Sequence, residues 1–171
     1  AGDRLRIMPT RNAGESIRAD MKRPEELAFA APLKSQTSPA NIGTGVISQP
    51  TLMTEIDIYD PVAQADLETS LRNAPPLRIV MGAAGGASQG YDVVDINGNV
   101  IDTGVIVPGQ NNTLTITVPA TAGPPAVPVP FDYEVTISGR PQGGDNFSVS
   151  FNTNGVSDNR NALKLIGLQD R

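Results

Sequence analysis

Apolar and polar residues alternate along most of the chain, which is the pattern of β-strands that bury one face. The clearest stretch places threonines between Leu114, Ile116 and Val118. Asn97-Gly98, a strong signal for a tight hairpin turn, separates two further runs. Short strands at this spacing predict a mainly β fold, an antiparallel sandwich or barrel-like module. The other predicted strands lie at residues 5–7, 17–21, 56–58, 77–81, 91–96, 100–107, 133–137 and 147–151.

Helical periodicity is confined to short segments, and the sequence predicts one to three short helices. In the segment 61–72, Val62, Leu67 and Leu71 form the expected apolar side. In the segment 158–168, an apolar stripe that includes Leu165 and Ile166 continues almost to the last residue. We therefore expect the third helix to be the start of a longer one. The three segments are residues 24–30, 61–72 and 158–168.

The 171-residue chain contains no His, Cys or Trp, which excludes several kinds of chemistry. Ser-His-Asp and Cys-His catalysis, thiolate zinc sites and disulfides all require residues that are missing. Thirteen basic and eighteen acidic residues give a net charge of −5, which argues against nucleic acid as a partner. No apolar run approaches the roughly 20 residues of a membrane span, and the first residues lack a signal-peptide apolar region. The composition indicates a protein that is not an enzyme and binds neither nucleic acid nor membrane.

Charge is distributed unevenly, which suggests an inserted domain. Residues 35–139 carry two arginines against ten acids, whereas the flanking stretches are weakly basic. A Gly-Asp-x-apolar-x-apolar motif begins at Gly2 and again at Gly144, on either side of this acidic block. If the block is inserted, the strands that start at Leu5 and Phe147 should lie close together. The predicted division is a base β region of residues 1–34 with 139–157, an inserted acidic β domain of residues 35–138, and the start of a truncated C-terminal helix at residues 158–171.

Two stretches resemble known sites but lack an essential part. The sequence from Gly86 to Gly90 matches the G-x-S-x-G pattern around a nucleophilic serine, here Ser88. That site needs a helix after the serine and a His base, so we predict that the surrounding GAAGGASQG is a Gly-rich loop. The Asp-x-Asn-x-Asn pattern from Asp95 resembles the opening of a calcium loop. The required Gly and Glu are missing from the sixth and twelfth positions, so we predict a hairpin turn.

The remaining candidates are also better explained by structure than by function. Pairs of acids, Asp57 with Asp60 and Asp66 with Glu68, could serve glycoside hydrolysis, but no aromatic platform for a sugar accompanies them. The Pro-rich stretch 119–130 contains P-x-x-P spacing, which is read by SH3 domains, but it is more simply a connection between strands. The sequence therefore predicts no catalytic, cofactor-binding or metal-binding residues.

Two blocks carry a family resemblance. The C-terminal block contains GDNFSV from Gly144 and NGVSDNRNAL from Asn154. The N-terminal block contains Gly2-Asp3, a Pro-Thr-Arg triplet from Pro9 and PEELA from Pro24. Together they resemble the hook-associated protein 1 family, the hook–filament junction proteins of the bacterial flagellum. In that family a G-D-x-F strand and an N-G-x-x-D-N-R-N-A-L segment lead into a long C-terminal helix. Residues 35–139 match the family only in a generic way.

The resemblance implies a structural function without a cofactor, as an adaptor at the junction between hook and filament. It implies as partners other copies of the protein, the hook protein, and the second junction protein or filament subunits. It also implies an extracellular location in the flagellum, reached through the flagellar secretion system without a cleaved signal peptide. Because the family's long terminal helices are not in this chain, we expect an outer, surface-exposed β fragment that is monomeric. Composition alone equally permits a ligand- or glycan-binding β module of a bacterial surface adhesin.

Overall fold

The computed structural model describes residues 31–55, 57, 59–120 and 125–153. These residues form one helix, α1 (Pro61–Asn73), and nine strands. The mainly β fold predicted from the alternation is confirmed. The strands are β1 (Leu33–Thr37), β2 (Val46–Ile47), β3 (Thr51–Leu52), β4 (Leu77–Gly85), β5 (Ser88–Val94), β6 (Val100–Ile106), β7 (Asn112–Val118), β8 (Phe131–Ser138) and β9 (Asn146–Phe151).

Two antiparallel sheets pack together as a sandwich. The first sheet has the order β1-β9-β4-β5-β6. In the second sheet, β8 pairs with β7 along one side and with the two short strands β2 and β3 along the other. Because β9 lies between β1 and β4, the last described strand is at the interior of the first sheet rather than at its edge.

The core lies between the two sheets, and the period-2 alternation determines which residues enter it. In β8, Phe131, Tyr133, Val135 and Ile137 are buried while the residues between them are partly exposed. Each large apolar side chain buried in this way contributes about 1.5–3 kcal/mol relative to an exposed one. The fully buried residues of the facing sheet include Leu33, Leu77, Ile79, Met81, Val93, Ile106, Phe147 and Val149.

Helix α1 was predicted at nearly its observed position. Asp60 caps its N-terminus, because its Oδ1 atom accepts hydrogen bonds from the backbone nitrogens of Val62 at 2.9 Å and Ala63 at 3.1 Å. Leu67 and Leu71 are buried as expected. The assignment of Val62 to the same side was wrong, since its side chain is 66% exposed. Val62 lies five positions before Leu67, which places the two side chains about 140° apart around the helix.

The glycine-rich loop predicted for GAAGGASQG is also wrong. Strand β4 continues to Gly85 and β5 begins at Ser88, so most of this stretch is a paired hairpin. Gly85 lies opposite Ser88 and Ala84 opposite Gln89. Only Gly86 and Ala87 form the turn, and Gly86 has the positive φ of 73° that a residue without a Cβ adopts easily.

The predicted strands at 77–81, 91–96, 100–107, 114–118, 133–137 and 147–151 all correspond to described strands. Strands β1, β2 and β3 were not predicted, because their five, two and two residues carry too little alternation. The predicted strands at residues 5–7 and 17–21, the helices at 24–30 and 158–168, and residues 56 and 58 lie outside the described residues.

The two ends of the described sandwich lie side by side. Leu33 at the start of β1 is opposite Phe151 at the end of β9. Beyond them, the backbone nitrogen of Asn152 donates to the carbonyl oxygen of Pro32 at 2.8 Å, and its Nδ2 donates to the carbonyl oxygen of Ala31 at 3.0 Å. The chain therefore enters and leaves this unit at one point. The division at residues 35, 138 and 157 stays a prediction, since residues 1–30 are not described.

Candidate functional site

Ser88 does not stand in the geometry of a catalytic serine. It is the first residue of β5, it is exposed, and the chain continues from it as a strand rather than a helix. A nucleophile elbow requires a sharp turn from a strand into a helix, with the serine at its top. Ser88 is therefore a hairpin residue, and this arrangement offers no activated nucleophile.

The Asp95 turn is held together by its own side chains. The Oδ1 atom of Asp95 accepts hydrogen bonds from the backbone nitrogens of Asn97 and Asn99, each at 2.8 Å, and its Oδ2 accepts from Asn99 Nδ2 at 3.0 Å. Gly98, with φ of 85°, closes the turn by donating to the Asp95 carbonyl oxygen at 3.1 Å. The prediction of a hairpin turn at this position is confirmed. Among the described residues, no group of three or more acidic side chains could hold a metal ion.

Three of the four paired acids, Asp57, Asp60 and Glu68, also have structural partners. Asp57 Oδ1 accepts from the backbone nitrogen of Tyr59 at 2.8 Å, and Asp60 caps α1 as described above. Glu68 forms an exposed ion pair with Arg72, with its Oε1 atom 2.7 Å from Arg72 Nη2. The Arg72 guanidinium also lies over the ring of Phe151, 4.6 Å from its centroid. These carboxylates thus order the helix and its surroundings.

The Gly-Asp motif at Gly144 places a buried carboxylate among backbone donors from two distant segments. Asp145 is only 2% exposed. Its Oδ1 accepts from the backbone nitrogen of Ile42 at 2.8 Å, and its Oδ2 accepts from those of Gly43 at 3.0 Å and Gln142 at 2.8 Å. Burial raises the pKa of this carboxyl, but the donors at Gln142, Ile42 and Gly43 outweigh burial and lower its pKa overall. We call Asp145 and its three donor residues the Asp145 node.

Close backbone approach surrounds this node. A Cβ atom at Gly43 would collide with Asp145 Oδ2 and with backbone atoms of residues 140 and 142. Asn41 and Asn146 add a reciprocal pair, in which Asn41 Nδ2 donates to the Asn146 carbonyl oxygen at 2.9 Å and Asn146 nitrogen donates to Asn41 Oδ1 at 2.8 Å. The segment before β2 is therefore fastened to the segment before β9. The sequence analysis used this motif as a border of the predicted insertion and as part of the family resemblance, but it did not predict that Asp145 would be buried and bound to backbone nitrogens.

A polar cluster of Tyr91, Tyr133 and Asp102 lies near β6, the edge strand of the first sheet. A β-bulge at Ile101 places Asp102 opposite the buried Val93. Burial first, and the charge of Asp102 second, raise the pKa values of the phenols of Tyr91 and Tyr133. The Tyr133 hydroxyl is buried without a hydrogen-bond partner. Asp102 Oδ2 in turn accepts from the backbone nitrogen of Thr117 at 3.3 Å, which connects β6 to the free side of β7.

Side chains also satisfy backbone groups that no neighbouring strand pairs with. On the edge strand β1, the amide of Gln49 accepts from the Ser35 nitrogen at 3.1 Å and donates to the Ser35 carbonyl oxygen at 3.2 Å. Such a contact reduces the tendency of an exposed edge to pair with another chain. Within the second sheet, the hydroxyls of Ser48 and Thr54 accept from backbone nitrogens of β8 that β2 and β3 leave free, at 2.8 and 2.7 Å.

The surface is acidic and carries scattered apolar residues. The described ranges contain four basic side chains, Lys34 and three arginines, against eleven acidic ones. Within these ranges Tyr59 is the only exposed aromatic side chain, at 87%. No described helix is long and apolar enough to cross a membrane. The other exposed large apolar residues are Ile42, Val46, Met53, Val62, Ile96, Val100, Val105 and Val107.

The fold has a counterpart among solved flagellar structures. It matches the flagellar hook junction protein FlgK from Burkholderia pseudomallei with a TM-score of 0.50 and 24% sequence identity, over 81% of this chain and 24% of that one. This likeness shows a shared fold. The resemblance to hook–filament junction proteins, inferred from the sequence, is thus confirmed at the level of the fold.

Two crystal structures of FlgL from Xanthomonas campestris also match, each with a TM-score of 0.39 and 20% identity over 70% of this chain. They are covered over 29% and 28% of their length. This chain therefore spans less than a third of each flagellar structure that it matches. No protein-family model and no curated protein sequence matches it.

Proposed function

We propose that this chain belongs to a flagellar hook-junction protein and contributes a non-enzymatic outer β domain to the junction between hook and filament. The observation that carries the proposal is the agreement between two separate signals. The block from residue 144 to residue 163 resembles hook-associated protein 1 in sequence, and the sandwich that ends inside this block has the fold found in a hook junction protein.

The position of the two ends of the described sandwich supports an inserted domain. A domain carried on a longer chain must leave and return at neighbouring points, and the contacts of Asn152 with Pro32 and Ala31 bring those points together. On this basis we place the boundaries of the inserted unit near the start of β1 and the end of β9. Boundaries at residues 35 and 138, which the charge distribution and the Gly-Asp motif suggested, would cut through β1 and separate β9 from its neighbours.

The surface suits a domain that faces solvent on the outside of an assembly. Eleven acids against four bases favour solubility, and the contacts at the free sides of β1 and β7 oppose edge-to-edge pairing. In the full-length protein the partners would be further copies, the hook protein, and the second junction protein or filament subunits. The location would be extracellular, on the flagellum. The single exposed aromatic among the described residues gives no support to a sugar-binding platform.

Immunogold electron microscopy tests this function. Antibodies raised against the purified chain should label intact flagella of the source bacterium in one narrow band between the curved hook and the straight filament. Antibodies depleted on the same chain are the matched control and should leave the flagella unlabelled. Label spread over the cell body would instead support the adhesin alternative, and label along the whole filament would identify a filament subunit. Either pattern would contradict the proposal.

A further inference from the structure

The hairpin turn between β5 and β6 exposes an asparagine directly before a glycine. Asn97 is exposed, and Gly98 has φ of 85° with no atom within 4 Å of the position that a Cβ would take. Of the twelve asparagines in the chain, only Asn97 and Asn154 precede a glycine. A residue without a side chain leaves its backbone nitrogen open to approach by the preceding side chain. This geometry makes the Asn97 amide chemically vulnerable.

We propose that Asn97 is a site of spontaneous deamidation and that the hydrogen bonds around Asp95 control its rate. In the first step the backbone nitrogen of Gly98 attacks Cγ of Asn97. A bond forms between that nitrogen and Cγ, the Cγ–Nδ2 bond breaks, and the proton lost from the nitrogen leaves with the released ammonia. Water then adds to one of the two carbonyl carbons of the resulting succinimide and breaks its bond to the ring nitrogen. The products are aspartate or isoaspartate at position 97.

The folded turn restrains this reaction. The backbone nitrogen of Gly98, which must attack, donates a hydrogen bond to the Asp95 carbonyl oxygen at 3.1 Å. This hydrogen bond must break before the nitrogen can reach Cγ of Asn97. The Asp95 carboxylate holds the backbone nitrogens on both sides, those of Asn97 and Asn99, at 2.8 Å. The reaction therefore requires local opening of the turn, whose cost depends on these hydrogen bonds. Asn99, whose side chain donates to Asp95 and which precedes the β-branched Val100, should remain intact.

Deamidation would change the surface at this end of the sandwich. The new carboxylate would lie two residues from Asp95, in a region that is already acidic. Isoaspartate would also lengthen the main chain within the turn and disturb the pairing of Val94 with Val100. This inference depends on the turn alone and stands or falls separately from the proposed flagellar function.

The test follows the folded 171-residue chain during incubation at mildly alkaline pH. Peptide mapping by mass spectrometry measures the replacement of amide by carboxyl at each asparagine, and isoaspartate-specific enzymatic methylation detects the second product. Asp95→Ala removes three hydrogen bonds to the carboxylate and should accelerate conversion of Asn97 about tenfold. Asp57→Ala removes a carboxylate from a different exposed turn and should leave the rate unchanged. Denatured wild-type chain supplies the unrestrained rate.

Conversion of Asn97 in the folded chain, faster in Asp95→Ala and unchanged in Asp57→Ala, would support the proposal. If Asn97 stayed intact while the denatured chain reacted, the proposed site would be wrong. Equal rates in wild type and Asp95→Ala would overturn the role of Asp95. Circular dichroism checks that each variant is folded. If Asp95→Ala unfolds, Asp95→Asn replaces it, because asparagine keeps one acceptor oxygen. The deamidation rate of Asn97 in Asp95→Asn should lie between those of the wild-type chain and the denatured chain. A wild-type rate in that variant would also overturn the proposed role of Asp95.

Discussion

Removal of the Asp145 carboxylate should be among the most damaging single changes to this protein. Asp145→Ala leaves the backbone nitrogens of Ile42, Gly43 and Gln142 without their acceptor. Hydrogen bonds to a charged group contribute about 1.5–3 kcal/mol each. Ile42 and Gln142 are exposed residues, so water can replace part of what is lost. We therefore expect the free energy of unfolding to fall by about 3–5 kcal/mol, a large share of the stability of a typical domain.

Urea denaturation followed by far-ultraviolet circular dichroism measures this loss, since the chain has no tryptophan to report on folding. The midpoint should fall while the slope of free energy against urea stays unchanged. Asp95→Ala is the matched control, because Asp95 also accepts three hydrogen bonds but lies in an exposed turn. We expect it to cost about 1 kcal/mol. A larger loss for Asp95→Ala than for Asp145→Ala would refute the importance assigned to the Asp145 node.

The same residue should control stability in acid. The folded-state pKa of Asp145 lies below its ordinary value of 3.8, so the unfolded chain binds the proton more readily. Its stabilising contribution is therefore complete above pH 3.8 and is lost as the pH falls through the folded-state pKa. Asparagine cannot titrate, so the free energy of unfolding of Asp145→Asn should decline less steeply than that of the wild type as the pH falls below 3.8. Parallel curves of unfolding free energy against pH for the two proteins would contradict this expectation.

Four further predictions use the same melts or simple solution measurements. Phe147→Ala should lower the free energy of unfolding by about 3–5 kcal/mol, because the Phe147 ring is fully buried. Phe151 is only partly buried, so Phe151→Ala should cost less, and the reverse order would place the core elsewhere. Gly139→Ala should destabilise more than Gly86→Ala, although both have positive φ, because only at Gly139 would a Cβ collide with a carbonyl oxygen; equal losses would argue against that contact. Burial raises the pKa of Tyr133 above 10.0, so the wild-type chain should lose stability as the pH rises above 10. Tyr133→Phe should reduce this loss at little cost near neutral pH, leaving the smaller share from Tyr91; an unchanged alkaline profile would count against it. Light scattering at micromolar concentration should show a monomer, and a stable oligomer would oppose the expected solvent-facing role.

Local sequence pattern was sufficient where an element depends on residues close to one another in the chain. The threonine-separated run of β7 and the alternation in β8 determine which side chains can be buried, whatever they pack against. Asn97-Gly98 and the Asp60-Pro61 pair specify a turn and a helix start within a few residues. The family resemblance likewise rested on short blocks that can be read without any structure.

The features that failed prediction depend on partners far away in the sequence. Strand β1 is a strand because β9 and the Gln49 amide satisfy its two sides, although its own five residues carry almost no pattern. GAAGGASQG looked like a loop because glycines weaken local strand preference, yet pairing between β4 and β5 extends the hairpin through it. The exception is Val62, which was misplaced for a local reason: it lies about 140° around the helix from Leu67 and so does not share the buried side.

The sequence by itself therefore determined six of the nine described strands, the described helix, the hairpin turn and the exclusion of histidine- and cysteine-dependent chemistry. Only the tertiary structure decided which strands are neighbours, that the two ends of the sandwich meet, and that Asp145 binds backbone nitrogens 103 and 102 residues away at Ile42 and Gly43. The physical reason is that alternation and turn preference act between neighbouring residues. Strand order and buried hydrogen bonds are set by which distant segments can close together and leave few buried polar groups unsatisfied.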